Sequence, residues 1–275
     1  MANYTAADIK ELRERTGAGM LDVKKALDEA DGDQAKAIEV LRIKGQKGVS
    51  KREGRTTSNG LVVAKAEGGV GTLVEVLCET DFVAKSEPFG ALADQVLAAA
   101  IDAQAADAEG VLAATADGKT VKELLDDANA TIGEKIEVKR AARVEAPTVS
   151  AYLHKTSPDL PAQIGVLLGT DGGDEQVARD VAMHIAAFSP NVLTREDVDA
   201  ETVANERRIA EETAKEEGKP EAALPKIVEG RVNGFFKENV LLDQPFAKDS
   251  KKSVGKVLEE AGSTATGFAR FRVGA

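Results

Sequence analysis

One pattern of strand, glycine-rich turn, strand and helix occurs twice in this chain of 275 residues, and that repeat narrows the folds open to it. Leu61-Val62-Val63-Ala64 leads through Gly68-Gly69-Val70-Gly71 into Thr72-Leu73-Val74-Glu75-Val76-Leu77-Cys78. Two apolar, β-branched runs around a glycine-rich loop are a hairpin signal. Ser86 then caps a helix with Pro88 in its first turn and Phe89, Leu92, Val96 and Ala100 on one side. The second copy comprises Val149–His154, a turn with Pro158 and Pro161, the strand Ile164–Gly169, and a helix with Val177, Val181 and His184 to Ala187 near one face. Each second strand ends in the same dipeptide, Thr80-Asp81 and Thr170-Asp171. A single hairpin-plus-helix unit cannot bury its sheet face, so two copies predict two related α+β subdomains packed as one core.

The flanks differ in character. Residues 1–45 read as a bundle of three short helices: Thr5 with Asp8 resembles a capping box, and Ile9 and Leu12 follow at helical spacing. Gly17 and Gly19 punctuate, Met20, Val23, Leu27 and Ala30 form the next apolar face, and Asp31-Gly32 breaks it. Asp33 can cap a third helix carrying Ile38 and Leu41, which Gly45 ends. The corner from Thr16 to Leu21 has two readings, a plain turn with Met20 in the core or a glycine-rich corner that offers apolar side chains. Residues 46–59 read as a basic linker, with Lys47, Lys51, Arg52 and Arg55 against Glu53. With no aromatic residue for base stacking, it is a solvated tether rather than a nucleic-acid contact.

The first core subdomain is assigned to 60–145. In it, 105–130 reads as helical and alanine-rich with Val121 and Leu124-Leu125 as anchors, and Ile132–Val138 reads as a turn feeding a strand. The second is assigned to 146–198 together with 238–275, where Ser253–Leu258 begins a short helix and Gly267–Val273 alternates as a strand. Between these parts, 199–237 reads as an antiparallel helical hairpin. Val203, Ile209, Ala210 and Ala214 are thin apolar positions, Gly218-Lys219-Pro220 is a break, and Leu224, Ile227 and Val228 lead to Phe235-Phe236. Its apolar surface is too small for an independent domain. It is a solvated arm, or a surface for a partner or for dimerisation.

Charge and composition exclude several functions. Lys and Arg total 36 against 47 Asp and Glu, a net charge of −11, which disfavours binding to a phosphate backbone. The longest run free of charged residues, Val181–Thr194, is short of the roughly 20 apolar residues of a membrane span. A single cysteine and no leader pattern lead to the expectation of a reducing cytoplasm. His154, His184 and Cys78 lack metal-ligand spacing, and no nucleophile elbow or phosphate loop is present. His184 reads as structural and Cys78 as a small inert hydrophobe. The expectation is a binder without metal or cofactor, not an enzyme. One segment stands out: Thr80-Asp81-Phe82-Val83, directly after a strand. Either it caps a turn with Phe82 packed beneath, or it sets an acidic residue beside an apolar wedge that inserts into a partner.

The run Leu12-Arg13-Glu14-Arg15-Thr16-Gly17-Ala18-Gly19-Met20, followed by Lys24-Lys25-Ala26-Leu27, resembles the N-terminal signature of the bacterial elongation factor Ts family. Thr80–Val83 is similar to its second signature. Val228-Glu229-Gly230-Arg231, Gln244-Pro245-Phe246 and Thr266–Phe271 fit in the same order, and Leu21 stands where a second Met is common. The resemblance implies a guanine nucleotide exchange factor for the translational GTPase elongation factor Tu. It implies a ubiquitin-associated-like bundle that contacts the GTPase, two related core subdomains, and a projecting helical hairpin through which some members dimerise. By the family pattern, Thr80, Asp81, Phe82 and Val83 dislodge the partner's Mg²⁺, with Asp81 perturbing the groups around the metal and Phe82 wedging into an apolar crevice. Arg13, Met20 and Lys24 would be bundle contacts, and Ile132 and Gly133 a supporting core contact. The other class of function left open is an adaptor that recruits a partner through the bundle without affecting nucleotide.

Overall fold

A computed structural model describes residues 3–16, 18, 20–52 and 54–275. Three helices open the chain: α1 (Ala6–Thr16), α2 (Met20–Glu29) and α3 (Gln34–Arg52). The Thr5 N–H and hydroxyl both donate to Asp8 Oδ2 at 2.7 Å, and the Asp8 N–H donates to Thr5 Oγ1 at 3.3 Å, closing a reciprocal cap. Leu12, Val23, Ala26, Leu27, Ala30 and Ala37 form the small core. Met20 is not part of it. It begins α2 and is 61% exposed. Gly17 and Gly19, expected to separate the first two helices, lie outside the described residues. Gly45 does not end α3, which continues to Arg52 and so takes in the first part of the basic segment. Its two interior glycines, Gly45 and Gly48, cost a helix only about 1 kcal/mol each, and no proline follows to stop it.

The first core unit begins with β1 (Asn59–Glu67) and β2 (Val70–Cys78), joined by Gly68-Gly69 at φ 59° and 82°. Two consecutive positive φ angles make a turn whose twist matches the hairpin. Gly71, expected in the loop, is a strand residue paired with Ala66. There follow α4 (Asp81–Ala84), α5 (Glu87–Asp102) and α6 (Ala108–Ala113). Two-residue strands β3 (Thr115–Ala116) and β4 (Lys119–Thr120), then α7 (Val121–Ile132) and β5 (Glu137–Glu145), complete the unit. The helical stretch expected over 105–130 is therefore interrupted. Asp117-Gly118 turns at φ 52° and 80°, and alanine-rich composition does not override that turn.

The second unit runs β6 (Thr148–His154), β7 (Ile164–Asp171) and α8 (Glu175–Phe188). The chain then leaves as α9 (Ala200–Glu216) and α10 (Leu224–Asn239), an antiparallel pair closed by Ala210, Val228, Val232 and Phe236. It returns through β8 (Pro245–Phe246), β9 (Asp249–Ser253) and α11 (Val254–Glu260) to β10 (Thr264–Arg272). Both main sheets are three-stranded and antiparallel, in the orders β1-β2-β5 and β10-β7-β6.

Strand alternation sorts the side chains into layers. Val74, Val76 and Cys78 of β2 pack with Phe89, Leu92 and Val96 of α5. Ile164, Val166 and Leu168 of β7 pack with Val181 and Ile185 of α8 and Leu258 of α11. The opposite faces meet each other through Val62, Leu73 and Leu167. Two glycines make this approach reciprocal. A Cβ on Gly71 would lie 2.9 Å from Leu167 Cδ2, and one on Gly165 would lie 2.6 Å from Leu73 Cδ1. The repeat is thus in register at Gly71-Thr72-Leu73 and Gly165-Val166-Leu167. The Thr-Asp dipeptides are not equivalent, because Thr170 and Asp171 lie within β7, paired with Ala265 and Thr264. Glu75, fully buried, accepts from Arg140 Nε at 2.6 Å and from the Gly274 N–H at 3.3 Å, which ties the C-terminus of the chain to the first sheet.

Candidate functional site

The end of β2 carries the segment singled out in the sequence. Thr80, in extended geometry at φ −121°, caps α4, and its hydroxyl accepts from the Val83 N–H at 3.4 Å. Asp81 opens that helix, and its Oδ2 accepts from Lys85 Nζ at 2.6 Å. This bond to the ammonium one turn later holds the Asp81 carboxyl below the usual aspartate range. Val83 is half-buried against the first core and Ala84 is buried. Phe82 points the other way, 82% exposed, more than any other large apolar side chain among the described residues. The reading with Phe82 packed beneath the turn is therefore overturned. Helical geometry separates these directions: adjacent residues point about 100° apart, so burying Val83 and Ala84 leaves Phe82 outward.

The turn after α7 backs this segment. Gly133 terminates α7 in the left-handed region at φ 86°, with its N–H bonded to Asn129 O. Ile132 packs against the first core, while Gly133 is exposed. The next residue, Glu134, accepts from the Thr80 hydroxyl at 2.6 Å through Oε1 and from the Thr80 N–H at 3.0 Å through Oε2. In the reverse direction, Glu79 Oε1 accepts from the Lys135 N–H at 2.6 Å. Sequence reasoning missed both glutamates. Thr80 and Glu134 are 54 residues apart, and no local pattern pairs them.

Arg13 on α1 and Met20 and Lys24 on α2 are exposed, on different elements from Phe82. Leu21 beside Met20 is 71% exposed, so the bundle presents a two-residue apolar corner. The C-terminal end of α7 adjoins both parts: Thr131 Oγ1 lies 3.5 Å from Thr16 O, and Glu134 holds Thr80.

Other candidate groups are built into the structure. The Cys78 thiol is buried, and burial together with the nearby Glu134 charge pushes its pKa up to about 12, so it stays neutral. His184 is buried at 1% exposure, with Nε2 2.8 Å from Gln244 Oε1, and Nδ1 accepts the Ala247 N–H at 3.2 Å. Those partners fix a neutral tautomer with the proton on Nε2, and burial lowers the pKa of His184. Among the described residues, no three His, Cys, Asp or Glu side chains form a group able to hold a metal ion. No helix among them is long and apolar enough to cross a membrane.

A family model described as Elongation factor TS matches residues 79–275, beginning one residue before Thr80. Relatives named Elongation factor Ts extend the likeness through the bundle. The protein of Renibacterium salmoninarum is 66% identical over 278 residues, and that of Arthrobacter sp. strain FB24 is 66% identical over 277. The Micrococcus luteus protein is 64% identical over 277 residues, and in all three alignments 100% of each chain is covered. With two thirds of its residues shared from end to end, this chain belongs to the elongation factor Ts family of translation elongation factors.

Proposed function

We propose that this protein is a guanine nucleotide exchange factor for the GTPase elongation factor Tu, and that Thr80–Val83 is the segment that disrupts the partner's Mg²⁺ site. A GTPase grips its nucleotide through backbone amides and a Mg²⁺ that bridges the phosphates. A partner that is complementary to the metal-disrupted state shifts the GTPase toward it. Phe82 enters an apolar crevice and Asp81 perturbs the groups around the metal. Arg13, Met20 and Lys24 seat the bundle, while Ile132 and Gly133 support the wedge from the core. The protein makes and breaks no covalent bond, and it needs neither nucleotide nor metal of its own. Coupling is reciprocal, so GTP entering the empty site weakens the hold of the factor and releases it. The arm at 199–237, where Ile209 is 41% exposed, is the segment through which a second copy would pair. The place of action is the cytoplasm.

The observation that carries this reading is the 82% exposure of Phe82 on a helix whose other apolar residues are turned inward. Exposed aromatic side chains on a rigid support are typical anchors of binding interfaces. The test compares GDP release from elongation factor Tu driven by the wild type, Phe82→Ala and Asp81→Ala. Both variants are expected to fold normally and to accelerate release less than the wild type. Wild-type rates in both would sink the assigned mechanism.

A further inference from the structure

We infer that Glu134 is a positioning residue for nucleotide exchange, aiming the Asp81–Phe82 wedge by its two-point grip on Thr80. The inference rests on the reading of Phe82 as the wedge. Helix α4 has only four residues, too few to hold itself. The exposed Phe82 ring has little packing to fix its direction. Its aim is therefore set by the backbone, and the backbone is set at the cap. The Thr80 hydroxyl holds Val83 N–H at 3.4 Å, a long bond, but Thr80 donates both its hydroxyl and its backbone N–H to Glu134, at 2.6 and 3.0 Å. A carboxylate that accepts from two donors of one residue fixes rotation as well as distance.

The grip is mirrored one residue away. Glu79 accepts the Lys135 N–H at 2.6 Å, and the Glu79 carbonyl accepts from Asn59 Nδ2 at 2.8 Å. The pairs Glu79-Thr80 and Glu134-Lys135 thus clasp each other in both directions. Gly133 makes this reach available: nothing lies within 4 Å of where its Cβ would be, so its φ of 86°, not lack of space, calls for glycine. Ile132, packed in the core, anchors the turn, and the support assigned to Ile132-Gly133 passes through Glu134. When a partner resists entry of Phe82, a clasped helix transmits the load to the partner, whereas an unclasped one tilts.

The experiment measures the maximal rate of labelled GDP release from elongation factor Tu and the half-saturating factor concentration. It uses full-length wild type, Glu134→Ala, Glu134→Gln, Thr80→Val, Phe82→Ala and the double variant Glu134→Ala/Phe82→Ala. Charge-assisted hydrogen bonds bias a two-state equilibrium by roughly tenfold or more, so Glu134→Ala should lower the maximal rate by about that factor. The half-saturating concentration should change little, because the bundle contacts remain. Glu134→Gln keeps one acceptor oxygen and should recover part of the rate. Thr80→Val keeps the N–H and should show a smaller fall, which carries the test if Glu134→Ala fails to fold. The double variant should lose less than the product of the two single losses, because Glu134 acts in part through Phe82. A slow Phe82→Ala beside a wild-type maximal rate in Glu134→Ala would overturn the positioning role alone. Fully multiplicative losses in the double variant would overturn it as well. A wild-type rate in Phe82→Ala would remove the wedge reading itself, and the inference with it.

Discussion

Gly165→Ala probes the contact on which the two sheets dock. The new methyl would lie 2.5 Å from Val62 Cγ1 and 2.6 Å from Leu73 Cδ1, against an ordinary contact of about 3.5 to 4 Å. Val62 is 1% and Leu73 0% exposed, so neither can swing into solvent, and the β-branched Val62 has few rotamers to choose from. Relief requires the sheets to part by about 1 Å or both side chains to leave their rotamers. Overpacking of this kind costs about 1–3 kcal/mol. Urea unfolding followed by circular dichroism should show a lower midpoint at unchanged slope. Leu73→Ala alone leaves a cavity and costs about 2–5 kcal/mol. In the Gly165→Ala background it also removes one of the two clashes, so the double variant should be more stable than the sum of the singles by about 1 kcal/mol. A loss below about 0.5 kcal/mol for Gly165→Ala, or additive losses, would refute the interlock.

Three further outcomes follow from burial and charge. Glu75→Ala leaves Arg140 without its buried partner and frees Gly274, and should cost about 3 kcal/mol in urea unfolding; less than about 1 kcal/mol would contradict the assigned role. Phe82→Ala removes a side chain that touches little of the fold, so its stability should lie within about 0.5 kcal/mol of wild type, and a larger loss would mean the ring packs in the free protein. His184 is held neutral and its folded pKa lies below 6.5, so its contribution to stability is complete above pH 6.5 and is lost as pH falls toward the folded value. Its ring proton resonance should titrate below 6.5, and a midpoint at or above that value would contradict the neutral tautomer.

Much of this architecture is legible in the residues. Apolar, β-branched runs mark the strands at Thr72–Cys78 and Ile164–Gly169, and Ser86 and Thr5 mark helix starts, because these signals act within a few residues. The repeat is legible too, but its register is not. Thr80-Asp81 and Thr170-Asp171 match by eye, while the equivalence that packs the sheets is Gly71-x-Leu73 with Gly165-x-Leu167. A glycine beside other glycines reads as a turn, and only the opposing Leu167 reveals Gly71 as the space left for a neighbouring sheet. Gly45 and the alanine-rich 105–130 segment show the same limit, since propensity is a weak force against a strong neighbouring turn or its absence. At the site, the sequence marks Thr80 or Asp81 as the cap of a turn, and the structure assigns the cap to Thr80. The outward direction of Phe82 and the hold of Glu134 on Thr80 depend on residues far away in the chain.

Release of a fluorescent GDP analogue from elongation factor Tu reads catalysis of nucleotide exchange without intermediaries. The complex is chased with excess unlabelled GDP, with and without substoichiometric amounts of this protein. Strong acceleration is expected, each molecule of the factor turning over many molecules of GDP complex. Release at the unaided rate, from a folded protein that still forms a detectable complex, would contradict it and leave a binding adaptor in its place.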